Sequence, residues 1–289
     1  MKFLLQLVLN SMKKTLVMKF GGASVASPDH FSQIADIILA RKQEYERIAI
    51  VISAMGDSTD QLIALAKQVH PNPPRREYDM LVSVGERISI SLLAMALALK
   101  NQQAVSFTGS QSGIITCNHH SSANIIEVRP HRILSALDSG KIVIVAGFQG
   151  VSRNGEITTL GRGGSDTSAV ALGLALKAEC VEFFKDVKGI YSEDPKINPN
   201  ATLFSQMTYE IAANIVQIGH SVLHPRCIRL ASKNQLALYV RSFIDFATCG
   251  CEGTLIGELN QLNDWVVYEE ENTIDNSSVI SSLNCTAAL

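Results

Sequence analysis

The stretch TLVMKFGG, Thr15 to Gly22, carries apolar or β-branched residues at every one of its first six positions except Lys19, and two glycines close it. It lacks the polar–apolar alternation of a sheet with one wet face, so it reads as a strand buried on both faces, the habit of parallel sheets covered by helices. Working outward, RIAIVISA (Arg47–Ala54), QAVSFTG (Gln103–Gly109), KIVIVAGFQG (Lys141–Gly150) and CVEFFKDV (Cys180–Val187) are runs of the same kind, each closed by Gly, Ser or Asp. Helical segments lie between them. Ser27-Pro28 starts one, RPHRILSALDSG runs from Pro130 to a terminating Gly140, and ERISISLLAMALALK (Glu86–Lys100) is apolar nearly all round, which predicts a core helix. Strand–helix alternation of this regularity predicts a three-layer α/β/α sandwich with a mostly parallel central sheet.

Composition limits the partners. A chain of 289 residues, 46% hydrophobic and 18% charged, has the profile of a folded globular protein with one domain, or one plus a fragment. A net charge of −2 with scattered Lys and Arg offers no basic stripe for nucleic acid. The six cysteines include no CxxC pair, which predicts reduced structural thiols and a cytoplasmic location. The opening MKFLLQLVLNSMKK has a short apolar core but no small-residue cleavage site, and it reads as an extension (residues 1–13) with Met12 as the initiator. No apolar run approaches the ~20 residues of a membrane helix, so no membrane is expected.

In sheets of this type, ligands bind beyond the carboxyl ends of the strands, where glycine-rich turns lead into helices. Three such loops stand out: KFGGASV (Lys19–Val25), SAMGDSTD (Ser53–Asp60) and GRGGSD (Gly161–Asp166). Glycines before a helix let backbone N–H groups approach an oxyanion, and the helix N-terminus adds partial positive charge, so phosphate is the default ligand; plain turn chemistry is the alternative. No GxxxxGK[ST] occurs and Gly161-x-Gly163 is not completed as GxGxxG, which excludes a P-loop enzyme. Lys19 lies at a strand end and faces the crevice or snorkels. Asp166 serves there or as a helix cap, and Glu86 there or as a first-turn acid. Taken singly, each has a structural explanation; together they gather Lys, Arg, Glu and Asp at one edge of the sheet.

In order and approximate spacing, KFGGASV, VISAMGDSTDQL, VGERIS, GFQG, GRGGSDTSA, KDVKGIYSEDP and VLHP resemble the aspartokinases, within the wider amino acid kinase family, over about Lys14 to Gly257. The resemblance implies an eight-stranded, mostly parallel sheet between helices. It also implies transfer of phosphate from ATP, with Mg²⁺, to the side-chain carboxylate of L-aspartate, the first step toward lysine, threonine and methionine. By the same resemblance Lys19 neutralises the phosphates, Gly21 and Gly22 supply backbone donors, and Asp166 orients Lys19. Ser53, Thr59 and Ser165 contact the amino acid, Glu86 receives its α-ammonium and Arg162 clamps its α-carboxylate. Lys185, Asp186, Tyr191 and Lys196 fall in the nucleotide segment. No metal ligand is assigned to the protein. Where the family usually places a phosphate-contacting lysine, this chain has Ser221, next to His220.

Residues 14–258 are expected to form the kinase domain. Residues 259–289 read as a remnant of a regulatory ACT region, loosely packed from about residue 260. A homo-oligomer is a further expectation. The alternatives are a catalytically impaired partner subunit that binds nucleotide or amino acid, and a kinase for another substrate such as glutamate, acetylglutamate or a nucleoside monophosphate.

Overall fold

Every side chain of Thr15–Phe20 is buried, as an unbroken apolar strand requires. The computed structural model describes residues 13–195, 197–217, 222–246, 252–259, 261–263 and 265–270. In chain order it forms β1 (Thr15–Phe20), a 3-10 turn (Gly22–Val25), α1 (Pro28–Arg41), β2 (Arg47–Ile52), α2 (Ser58–Val69), α3 (Arg75–Val82) and α4 (Val84–Leu99). There follow β3 (Ala104–Phe107), β4 (Ile114–Thr116), β5 (Ile125–Val128), α5 (His131–Asp138), β6 (Ile142–Ala146), β7 (Gln149–Ser152), β8 (Ile157–Thr159), α6 (Gly164–Ala175) and β9 (Cys180–Lys185). The rest comprises β10 (Gln206–Met207), α7 (Tyr209–Gln217), α8 (Pro225–Asn234), β11 (Leu238–Ser242) and β12 (Thr254–Ile256).

The main sheet has eight strands in the order β10-β12-β11-β9-β1-β2-β6-β3. β1 sits between β2 and β9, parallel to both, and β12 runs antiparallel to β11. The expected three-layer, mostly parallel architecture is therefore present. Alternate residues of β1 enter opposite apolar clusters: Leu16, Met18 and Phe20 join one with α1 and α4, while Val17 joins the other with α6 and α8. Lys19 shares the parity of Val17, so it points toward α6.

Three expectations need correction. KIVIVAGFQG is not one strand: β6 ends at Ala146, and β7 belongs to a second, four-stranded sheet of order β5-β4-β7-β8. The chain turns at Gly147-Phe148, with Phe148 at φ 65, and a Cβ on Gly147 would come within 2.8 Å of Ser165. Apolar content alone does not register such a turn. Helix α4 is likewise not a fully buried core helix, since Ile88, Met95 and Leu99 are 50%, 65% and 85% exposed while Ile90, Leu93 and Leu97 pack on the sheet. Together α3 and α4 form a 25-residue helix, Arg75–Leu99, with an apolar stretch of mean hydropathy 1.6. That reaches the length and composition of a membrane-crossing helix, contrary to the reading of the sequence; one side of it lies against the protein.

The expected loose packing from residue 260 also fails for 261–263 and 265–270, where the Asn263 N–H donates to the Asn234 carbonyl at 3.1 Å. The Arg226 guanidinium binds the Glu269 carboxylate and donates to the Leu160 carbonyl at 2.5 Å and the Ala123 carbonyl at 2.6 Å. The Val267 N–H donates to Asn234 Oδ1 at 2.7 Å, and the Glu269 N–H donates to the Ile125 carbonyl at 3.0 Å. Residues 271–289 of the expected ACT remnant lie outside the described residues.

Candidate active site

The carboxyl ends of β1, β2 and β9 open onto the N-terminus of α6. The loop before α6 is made of glycines because the backbone there takes the left-handed conformation, with Gly161 at φ 72 and Gly163 at φ 69. A Cβ on Gly163 would also overlap the His224 ring, which caps α8 by accepting the Arg226 N–H at 3.3 Å. This tight turn delivers Asp166 in the first turn of α6 to Lys19.

Lys19 is 4% exposed, and its Nζ lies 2.5 Å from Asp166 Oδ1. On the other oxygen, Lys185 Nζ is 3.6 Å from Asp166 Oδ2. Burial pushes the Asp166 carboxyl up, but Lys19 and Lys185 outweigh it, and with the His224 N–H they hold it at about 2. The carboxylate is therefore ionised across the physiological range. Burial pulls the Lys19 ammonium below the usual lysine range, Lys185 adds to that effect, and Asp166 opposes it.

Two cavities meet at this pair. One, of about 480 Å³, is lined by Gly21, Lys185, Asp186 and Tyr191. The other, of about 1000 Å³, is lined by Ser53, Thr59, Glu86, Arg162, Ser165 and Asp166. Lys19 and Gly22 line both. The structure thus brings together all the site residues read from the sequence except Lys196 and Ser221, which lie outside the described residues. Arg162 is exposed at the cavity wall, whereas Glu86 is 2% exposed. Burial raises the Glu86 carboxyl to about 8, opposed by its own N–H, the Ala54 N–H and the Gln149 amide, and Oε2 has no hydrogen-bond partner. A buried carboxylate oxygen with no partner, facing a cavity, is suited to a cationic group on a ligand.

Sequence reasoning missed Asp79. This fully buried carboxylate on α3 accepts from Thr159 N–H at 3.0 Å, Thr159 Oγ1 at 2.6 Å and Ser121 N–H at 3.0 Å, and it contacts His120 Nδ1 at 2.9 Å. Thr159 and Ser121 both line the larger cavity, so Asp79 anchors its wall. The available signal was spacing: Asp79, Val82 and Glu86 fall three and four residues apart, on one helix face. His224 was also missed as a positioning group, although VLHP contains it.

Geometry of this kind defines a class before any relative is considered: a parallel α/β sheet with a lysine–aspartate pair where two polar crevices join. The chain belongs to the amino acid kinase family, whose sequence model matches residues 14–242. Within that family it is similar to the aspartokinase of Mycolicibacterium smegmatis, 48% identical over 228 residues, covering 78% of this chain and 54% of that protein. The chain thus spans about half the length of that curated relative. Among solved structures, aspartate kinase from Synechocystis superposes with a TM-score of 0.77 at 42% identity, covering 89% of this chain and 42% of that one. E. coli aspartokinase III in complex with aspartate and ADP, in the R-state, superposes with a TM-score of 0.75 at 27% identity, covering 86% and 65%.

Proposed function

We propose that the chain carries the catalytic domain of an aspartate kinase, which transfers the γ-phosphoryl group of ATP to the side-chain carboxylate of L-aspartate and forms 4-phospho-L-aspartate. The observation that carries this reading is the Lys19–Asp166 pair at the junction of two cavities, one of which is lined by Glu86, whose Oε2 has no hydrogen-bond partner, and by the exposed Arg162. The acceptor is a carboxylate with a reference pKa of about 4, already ionised at neutral pH, so the reaction requires no general base. What it requires is charge neutralisation between two anions, which Lys19 supplies. Glu86 and Arg162 grip the ammonium and carboxylate that define an α-amino acid, Arg through its planar fork. Ser53, Thr59 and Ser165 complete the acceptor side. Gly21, Gly22, Lys185, Asp186 and Tyr191 face the nucleotide, and Lys196 and Ser221 are assigned to it from sequence alone.

Among the described residues there is no cluster of three or more His, Cys, Asp or Glu able to cage a metal. Mg²⁺, which is commonly held by substrate phosphates with few protein ligands, is therefore proposed to enter with ATP and to neutralise its phosphates. The names of the related aspartokinases, and the aspartate and ADP bound to the E. coli enzyme, support the substrate assignment. The test is a hydroxylamine-trapping assay with ATP, Mg²⁺ and a panel of amino acids. Hydroxamate formed from L-aspartate alone is the expected result; formation from glutamate or acetylglutamate, or none at all, would overturn the assignment.

A further inference from the structure

One carboxylate, that of Asp166, stands between two ammonium groups. Lys19 Nζ approaches Oδ1 at 2.5 Å, and Lys185 Nζ stands 3.6 Å from Oδ2. Within this trio, two ammonium groups thus share one carboxylate. The parallel register explains the placement: Lys19 is level with Phe183, and Lys185 lies two residues further along β9, so both lysines project from the same face toward α6. Their surroundings differ. Lys19 lines both cavities, whereas Lys185 lines the nucleotide cavity and not the acceptor cavity.

We infer that Lys185 is a second catalytic cation, which contacts the donor's phosphates on the leaving-group side while Lys19 stays with the phosphoryl group in transit. The inference rests on the kinase reading above. In the transfer, the bond between the γ-phosphorus and its bridging oxygen breaks and the electron pair remains on that oxygen. A carboxylate oxygen of the acceptor forms the new bond to phosphorus, and no proton moves. The departing diphosphate gains one negative charge and the acceptor loses one. A cation confined to the donor side therefore interacts more strongly with the transition state than with the bound substrates, which is the condition for raising kcat. The end of the nucleotide cavity that holds Lys185 is the end it shares with the acceptor cavity, so phosphates occupy it and the sugar and base lie away from the junction.

The experiment measures binding of ATP, ADP and AMP to the full chain and to Lys185→Met and Lys185→Arg, together with turnover in the hydroxamate assay. Lys185→Met is expected to weaken ADP and ATP about tenfold, as loss of a charge-assisted phosphate contact does, and to leave AMP within about twofold. Its kcat is expected to fall by about 10²-fold, with partial recovery in Lys185→Arg. Equal weakening of all three nucleotides would put Lys185 on the sugar or base, and unchanged binding and turnover would make it only a structural partner of Asp166; either overturns the inference. The nucleotide series needs no acceptor, so a chain that made no aspartyl hydroxamate would refute the acceptor assignment and leave this result readable.

Discussion

Lys19 is held by two opposing demands: a nearly closed environment that disfavours its charge and a carboxylate at 2.5 Å that restores it. On the proposed kinase reading, a lysine fixed in this way loses no rotamer freedom when the phosphoryl group arrives, and its interaction grows as charge is redistributed. Lys19→Ala is expected to lower kcat by about 10²-fold or more with a smaller change in KM, as for loss of one preorganised donor. Steady-state kinetics decides it, and near-normal turnover removes the role. Glu86 leads to a pH prediction. Its carboxyl titrates at about 8 because it is buried, so below that pH the free protein holds it protonated, and binding an ammonium requires the proton to leave. Aspartate affinity is therefore expected to rise with pH up to about 8, by at most about tenfold per unit, and then to level off. Glu86→Gln should flatten the profile, and calorimetry in buffers of different ionisation enthalpy should detect the released proton. Lys19, Asp166 and Glu86 were legible in the sequence because each is a charged residue close to glycines at a strand end or a helix start. Lys185 was legible as part of the loop cluster at the sheet edge, but its closeness to Asp166 depends on the register of β9 against β1, which no local pattern states.

At the scale of elements, the walls of the larger cavity depend on α3, which lines it with Arg75 and Tyr78 and anchors it through Asp79. Asp79 accepts from two backbone N–H groups and a hydroxyl at the end of β8 and in the loop before β5. Removing it leaves the buried Thr159 donors and the part-buried Ser121 N–H without this partner. Asp79→Ala is expected to cost about 3 kcal/mol or more in urea unfolding, and to raise the aspartate KM more than the ATP KM in whatever folded protein remains. Equal effects on both substrates would show that the wall is not specific to the acceptor. The main strands were readable because burial on both faces imprints a continuous apolar run. The break between β6 and β7 was not, since it rests on a left-handed Phe148 and a close approach of Gly147 to Ser165, both imposed by distant chain. The exposed side of α4 was unreadable for a related reason: its apolar residues do not themselves distinguish the face that meets the sheet.

On the scale of the whole molecule, the eight-stranded order and the two cavities follow from parallel strands whose carboxyl ends all open on one edge. The segment 265–270 was the least legible part, because its anchoring depends on Arg226, an ordinary helix arginine in the sequence. Each partner of the Arg226–Glu269 pair has a side chain 14% exposed. Breaking such a pair strands one charge, and Glu269→Ala is expected to lower stability by about 3 kcal/mol, measured as a shifted denaturation midpoint at constant slope. An unchanged midpoint would mean that water replaces the carboxylate at no cost.

Arg226 grips Glu269 with one side of its guanidinium and the Leu160 carbonyl with another, and Leu160 is the residue immediately before Gly161 and Arg162. The last described stretch of chain is thus tied to the residue that precedes the glycine-rich loop of α6. Arg226 is thus an anchor common to residues 265–270 and the base of that loop, beside the bonds that Glu269 and Glu270 make to Ile125 and Asn124.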